Sequence, residues 1–374
     1  MNYYPRTIQP AIEESLFKGK VIVLYGARQV GKTTLIRQIQ EKYASISRYL
    51  NCDEPDIRSA LSERTSTELR FLLANNTLIF IDEAQRVRNI GLTLKLLVDT
   101  FPDIQVVASG SSSFDLSNQI VEPLTGRKFE FHLFPLSVAE MLTQNTSMEF
   151  LRMLDHRMRF GMYPGVVSSY SPSEELLEIS NSYLYKDVLE FQEVKNPDLL
   201  RRLLQALALQ VGGEISFNEL GATLGIDKNT VARYLSLLEQ AYVIFHLTPF
   251  SRNLRKELGK KRKFYFYDLG IRNALINNFN PLEIRQDTGS LWENFFIVER
   301  LKKANNQRKH LNVYFWRAYD GGEVDYLEEE GGKMVGFECK WGSEKWLPPK
   351  AFTINYPRIE VFLVNRMNFL EHLK

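Results

Sequence analysis

The sequence predicts an α/β chain. An open parallel sheet, wound on both faces by helices, is followed by a helical stretch, a helix-rich segment with two strands, and a second α/β domain. Three observations carry this. Strand-length apolar runs alternate with helix-periodic segments over residues 1–135. A glycine-rich turn joins the first of these runs to a helix. Beyond residue 136 the letters change character repeatedly, and 374 residues are too many for one ordinary core.

Composition bounds the rest. A hydrophobic share of 44% with 25% charged residues is that of a soluble globular protein, and no apolar run of about 18 residues is present to span a membrane. The opening MNYYPRTIQPAIEE lacks an apolar stretch flanked by small residues, so no signal peptide is expected. Cys52 and Cys339 form no disulfide or metal pattern, which makes a reducing cytoplasm the expected compartment. The net charge of +2 is near neutral, so any nucleic-acid surface must be a local patch.

VIVLYG (21–26), SRYLNC (47–52), TLIFID (77–82), DIQVVASG (103–110) and KFEFHLF (128–134) read as strands. Their near-continuous hydrophobicity suits strands covered on both faces. TTLIRQIQEKY and LTLKLLVDTF have helical periodicity, so the first 136 residues read as a doubly wound domain. From 137 to 196 the pattern is helical, broken by FGMYPGVV at 160–167. A helical lid and a plain linker bundle both read this way.

In 197–285, LLRRLLQALALQVG forms one helix. SFNELGATLG forms a second, with Ser216 and Glu219 at capping-box spacing, and KNTVARYLSLLEQA forms a third after Asp227. Two strands follow, YVIFHL and KFYFYD. The last segment, 286–374, opens with the helix LWENFFIVERLKK and continues in strands and turns.

Gly26-Ala27-Arg28-Gln29-Val30-Gly31-Lys32-Thr33, followed by Thr34, satisfies G-x-x-x-x-G-K-[ST] between a strand and a helix. Backbone N–H groups there can approach phosphates, and the helix N-terminus adds partial positive charge. Lys32 should reach the β/γ-phosphates, and Thr33 should offer a hydroxyl to Mg²⁺. Asp82 ends the strand TLIFID, placed to hold the Mg²⁺, and Glu83 can polarise the attacking water. Hydrolysis, not binding alone, is the expectation. Ser111, with Ser112 as alternate, follows the fourth strand where a polar side chain can sense the γ-phosphate; a serine-rich loop reads the same. Arg127 is placed like an arginine finger acting on a neighbouring subunit's nucleotide, and this is the basis for expecting a homo-oligomer; a surface arginine gives the same letters.

Residues 216–240 read as two helices and a short turn. Val231, Leu235 and Leu238 fall at i, i+4, i+7 and face the core. Lys228, Asn229, Thr230 and Arg233 then point outward at the N-terminal end, where a recognition helix meets a major groove. The run SRNLRKELGKKRK at 251–263 holds seven basic residues against one acidic, including Arg252, Lys260, Lys261 and Arg262. As the wing of a winged helix it can track the phosphates of double-stranded DNA. A protein-binding module with a solvated basic loop is the alternative.

In GFECKW alternate residues share a face, so Glu338 and Lys340 point one way and Cys339 the other, into the core. Asp325, in the preceding strand of a hairpin, pairs beside Glu338, and Glu293 on the helix LWENFF can add a third carboxylate. Such carboxylates with a lysine suit metal-assisted phosphodiester hydrolysis. The run Glu328–Glu330 falls in the expected exposed turn.

YGARQVGKTT, LIFIDEAQ, ASGSSS and LTGRKFEFHLFPLS resemble the archaeal-type AAA+ ATPases of bacteria and archaea. WRAYDGGEVDYL and GFECKW resemble the domain of unknown function that typically follows, itself similar to the PD-(D/E)XK restriction-endonuclease-like fold. The resemblance covers nearly the whole chain. It implies ATP and Mg²⁺ as cofactors, with Lys32, Thr33, Asp82 and Glu83 in the roles above and Arg127 as the family's Gly-Arg position. It also implies Glu293, Asp325, Glu338 and Lys340 as a nuclease-like constellation. The expected protein is a DNA-associated ATPase whose nucleotide cycle controls engagement of DNA, with metal-dependent cleavage left open by the C-terminal letters. The alternatives are a regulatory NTPase switch whose later domains bind protein, and a DNA-binding regulator whose nuclease fold is a scaffold.

Overall fold

The computed structural model describes residues 4–110, 120, 123–184, 196–250, 262–318, 321–342 and 345–373. Packing divides the chain into two compact units. One is Pro5–Phe134 with Gln240–Tyr242, and the other is built mainly of Pro135–Glu239 and Val243–Lys374.

In the first unit the five expected strands form: β1 (Val21–Tyr25), β2 (Ser47–Asn51), β3 (Leu78–Asp82), β4 (Gln105–Gly110) and β5 (Lys128–His132). Their order is β2-β3-β4-β1-β5, with every pair parallel. Parallel neighbours need crossovers, here including helices α1 (Lys32–Lys42) and α2 (Ile90–Thr100). The three inner strands are buried at every residue, while β2 and β5, at the edges, are only half-buried over most of their length. Cover on both faces is why the inner runs lack polar alternation. Leu35, Ile36 and Ile39 of α1 and Leu94 and Leu97 of α2 are buried, each such side chain contributing about 1.5–3 kcal/mol. Because the strands are parallel, the loops after Tyr25 and Asp82 leave the sheet along one edge. In open α/β sheets this is where ligands bind.

The second unit has a seven-stranded sheet of order β12-β11-β10-β9-β7-β8-β6. The helices Ser147–Phe160 (α3) and Pro197–Leu209 (α4) precede its strands. Then come β6 (Glu214–Ile215), α5 (Phe217–Leu224), α6 (Lys228–Gln240), β7 (Ile244–Pro249), β8 (Arg262–Phe266) and α7 (Leu269–Leu275). After α8 (Thr288–Asn306) follow β9 (Asn312–Arg317), β10 (Glu323–Glu330), β11 (Lys333–Cys339) and β12 (Glu360–Val364). β7 pairs in parallel with β9, so strands on either side of residue 285 belong to one sheet.

Two local expectations are corrected. Ser216 is the N-cap of α5 but makes no side-chain capping bond, so the capping box with Glu219 does not form. Glu328–Glu330 are not in the turn: β10 runs through Glu330, and the turn is Gly331–Gly332, with φ of 57° and 79°. A two-residue hairpin turn of this kind needs positive φ at both positions, which two glycines supply at little cost. Glu328 is buried and paired with Arg300 of α8.

Candidate nucleotide site and C-terminal charge cluster

The loop Gly26–Gly31 leaves β1 at Tyr25 and enters α1 at Lys32. Gly26 is required by close approach, since a Cβ there would lie 2.2 Å from the Leu133 carbonyl oxygen. Lys32 is buried, and its Nζ donates to the carbonyls of Gly26 (2.8 Å) and Ala27 (2.9 Å). Thr33 and Thr34, in the first turn, are exposed. Ala27 and Val30 are buried, Arg28 is half-buried and Gln29 is exposed, so the loop presents backbone more than side chains.

Asp82 is buried at the end of β3 and is met by hydroxyls. Thr33 Oγ1 donates to its Oδ2 at 2.7 Å, the Tyr49 hydroxyl donates to the same oxygen, and Ser109 Oγ donates to Oδ1. The backbone N–H of Glu83 also reaches Oδ1, at 3.2 Å. Arg37 lies over the Tyr49 ring, 3.3 Å from its centroid. Burial and the bond to Asp82 push the Tyr49 phenol well above its ordinary range, so it stays a donor. Burial, then Asp82 and Glu83, raise the Cys52 thiol to about 12. Thr33 and Asp82 thus place two hard oxygens at one point beside the phosphate loop, which fits a Mg²⁺ held by both. Glu83 adopts a left-handed backbone (φ 54°), uncommon for a residue with a side chain. Its carboxylate accepts from Gln85 Nε2 at 2.6 Å.

Arg127 stands just before β5, where its carbonyl accepts the N–H of Val21. That is the opposite end of β1 from the loop, ~13 Å away at ~3.3 Å per residue. Its guanidinium pairs with Asp99 at 2.7 Å, both groups half-exposed. Ser111 and Ser112 lie outside the described residues. The serine that reaches Asp82 is Ser109, earlier in the same ASGSSS run. Tyr49 was not singled out by sequence, because a tyrosine in a strand reads as core.

In the second unit Val231, Leu235 and Leu238 of α6 are buried as expected, together with Tyr234 and Leu237. Asp227 caps the helix: its Oδ1 accepts from Asn229 N (2.9 Å) and Thr230 N (3.1 Å), and Thr230 Oγ1 donates to Oδ2. Lys228, Asn229 and Arg233 are exposed, while Thr230 is half-buried with its hydroxyl tied into the cap. Arg252, Lys260 and Lys261 lie outside the described residues. Arg262, half-buried, stacks 5.5 Å from the Phe217 ring centroid. Lys263, counted by sequence within the basic run, is buried instead.

Lys263 organises the C-terminal cluster. Its Nζ pairs with Glu293 at 3.1 Å and with Glu323, joining β8, α8 and β10. The Tyr265 hydroxyl donates to the same Glu293 oxygen at 2.6 Å. The register that sets Tyr326 opposite Phe337 brings Asp325 beside Glu338, and Asp325 Oδ2 accepts the Cys339 N–H at 2.8 Å. Glu338 pairs with Lys340 at 2.7 Å through Oε1, while its Oε2 is buried with no hydrogen-bond partner among the described residues. Burial, and then Asp325, push both Glu293 and Glu338 up to about 7. Burial likewise raises Asp325. Burial alone would lower Lys263, but Glu293, Asp325 and Glu323 raise it well above its usual range.

Among the described residues no three His, Cys, Asp or Glu side chains converge as metal ligands. Glu293 is drawn to an ammonium and a phenol, and Glu338 to Lys340, so each of these two carboxylates already meets an ammonium.

Comparison with known proteins agrees with the first unit. Residues 18–142 match the family described as AAA domain, and 151–282 and 288–357 match two domains of unknown function (DUF8612 and DUF4143). With the phosphate loop, the first match supports an AAA-type P-loop ATPase family. An uncharacterized protein of Mycobacterium tuberculosis is 27% identical over 334 residues, covering 88% of this chain and 72% of that one. One of Methanocaldococcus jannaschii is 27% identical over 344 residues (86% and 75%), and one of Haemophilus influenzae 25% over 340 (84% and 80%). Among solved structures, the Pif1 helicase from Candida albicans aligns at TM-score 0.27 and 14% identity, over 48% of each chain. Drosophila ORC bound to AT-rich DNA and Cdc6 aligns at TM-score 0.28 and 13% identity, over 73% of this chain and 89% of that one. No helix among the described residues is long and apolar enough to cross a membrane.

Proposed function

We propose that this chain, which family match and phosphate loop support as an AAA-type P-loop ATPase, binds and hydrolyses ATP with Mg²⁺ and couples that cycle to double-stranded DNA. The observation that carries the reading is the Thr33–Asp82 contact at the mouth of the loop, with Lys32 behind it and Glu83 next in sequence. The N–H groups of Gly26–Thr34 cradle the phosphates, and Lys32 leaves the Gly26 and Ala27 carbonyls to neutralise phosphate charge. Thr33 and Asp82 would hold the Mg²⁺, which supplies charge neutralisation at the transferring phosphoryl group. Ser109 and Tyr49 fix the Asp82 carboxylate. Glu83 orients the attacking water and takes its proton. Arg127, at the far end of its own sheet, serves the nucleotide of a second copy of the chain.

In the second unit the reading is a winged helix, with Lys228, Asn229, Thr230 and Arg233 toward the major groove. The basic charge of Arg252, Lys260, Lys261 and Arg262 would serve the DNA phosphates. What supports it is the order helix, strand, helix, helix, strand, strand, with β8 pairing both β6 and β7. The C-terminal part is read as a nuclease-like scaffold, and no cleavage step is assigned to it.

ATP turnover with and without DNA at low salt tests the proposal. Stimulation by DNA is expected; absence of both stimulation and DNA binding would sink the DNA half. Incubating DNA with Mg²⁺ or Mn²⁺ should leave it intact, and products that vanish in Lys340→Ala would restore the cleavage reading.

A further inference from the structure

We propose that Arg6 is a positioning residue for the phosphate loop, holding the Val30 carbonyl so that the following N–H faces the phosphates. The inference rests on the reading of that loop as an ATP site. Arg6 lies outside the G-x-x-x-x-G-K-T motif, twenty residues before its first glycine, yet its side chain is buried. Nη1 donates to Val30 O at 2.6 Å, and Nη2 donates to Phe134 O, just beyond β5. Nη1 also stands 3.5 Å from where a Cβ on Gly31 would be. Both ends of the loop are therefore referred to the exit of β5. Gly26 sits directly against Leu133 O, and Val30 is tied through one guanidinium to Phe134 O.

Peptide geometry turns this tie into a function. In a trans peptide the C=O of one residue and the N–H of the next point in opposite directions within one plane. Drawing Val30 O toward Arg6 therefore aims the Gly31 N–H away from it, into the mouth of the loop, where α1 begins. Lys32 also holds loop carbonyls, but it must release them to reach a phosphate. Arg6 has no such duty, so its hold persists through the cycle. A planar fork with fixed donors suits two carbonyls at set positions better than a lysine does.

The test uses the full chain as wild type, Arg6→Met and Arg6→Lys. MgATP affinity is measured by titration calorimetry and steady-state KM and kcat by hydrolysis, with thermal melting in parallel. Arg6→Met should weaken ATP binding and raise KM by ~10-fold or more, with kcat within about 3-fold. Arg6→Lys, able to hold one carbonyl, should fall between. Wild-type affinity in Arg6→Met, or a loss of kcat alone in step with the unfolded fraction, overturns the inference. If Arg6→Met does not fold, the same split in Arg6→Lys decides. A wild type that binds no ATP removes the ATP-site reading and the inference with it. A wild type that binds ATP as tightly as a folded Arg6→Met removes the inference alone.

Discussion

Asp82 in the first unit and Glu293 in the second are both largely buried carboxylates, and sequence offered both as metal ligands. Their partners differ. Asp82 is met by the hydroxyls of Thr33, Tyr49 and Ser109 and by a backbone N–H. Glu293 is met by the ammonium of Lys263 as well as a phenol. Hydroxyl and amide donors orient a carboxylate and leave its charge in place, so it can still attract a cation. A buried ammonium cancels that charge, and a metal must then displace an ion pair already formed in a low dielectric. Carboxylates alone do not make a cation site; the kind of donor holding them decides.

The largest expected effect that would break this comparison is at the loop. Lys32→Ala should lower kcat/KM for ATP by ~10²–10³-fold with little change in melting temperature. Surviving hydrolysis in that variant would mean the phosphate assignment is wrong. Next, Lys263→Ala leaves Glu293 and Glu323 without their shared cation. Denaturant unfolding should show a loss of about 3–5 kcal/mol, and a loss near zero would show that the cluster is not organised around that lysine.

The smallest effect sharpens the comparison through pH. Glu293 and Glu338 are raised to about 7, so the folded chain holds their protons more tightly than the unfolded chain. Their contribution is full below the ordinary glutamate range and is lost as pH rises toward 7. Asp287 has the opposite sign. Burial would raise it, but Arg285 and Arg272 hold it down to about 2, so its contribution stands above the ordinary aspartate range and is lost toward pH 2. Between pH 5 and 8 unfolding midpoints should fall in the wild type and fall less in Glu338→Gln; an equal slope in both contradicts the account.

The parts legible in sequence were those fixed by local pattern. Apolar runs predicted the five parallel strands, and the loop letters predicted Gly26 to Thr34, because a strand–loop–helix unit is set by neighbours in the chain. The i, i+4, i+7 spacing likewise predicted which face of α6 is buried. What stayed hidden depends on register and distance. Ser109 and Tyr49 reach Asp82 because β2, β3 and β4 are adjacent, an order that periodicity does not encode. Arg6 acts on residues 24 and 128 positions away. Lys263 looked like one more residue in a basic run, since only the meeting of β8, α8 and β10 makes it a core cation. Glu328 misled for a related reason: three glutamates read as solvent-exposed, and Arg300 on a distant helix buries the first.

Binding of Mn²⁺ followed by electron paramagnetic resonance tests the central claim most directly. One ion per chain should bind in the presence of ATP, be lost in Asp82→Asn, and be unaffected by Glu338→Gln. Mn²⁺ that binds without ATP and disappears in Glu338→Gln would contradict the account, placing the cation site in the cluster that Lys263 and Lys340 are argued to close.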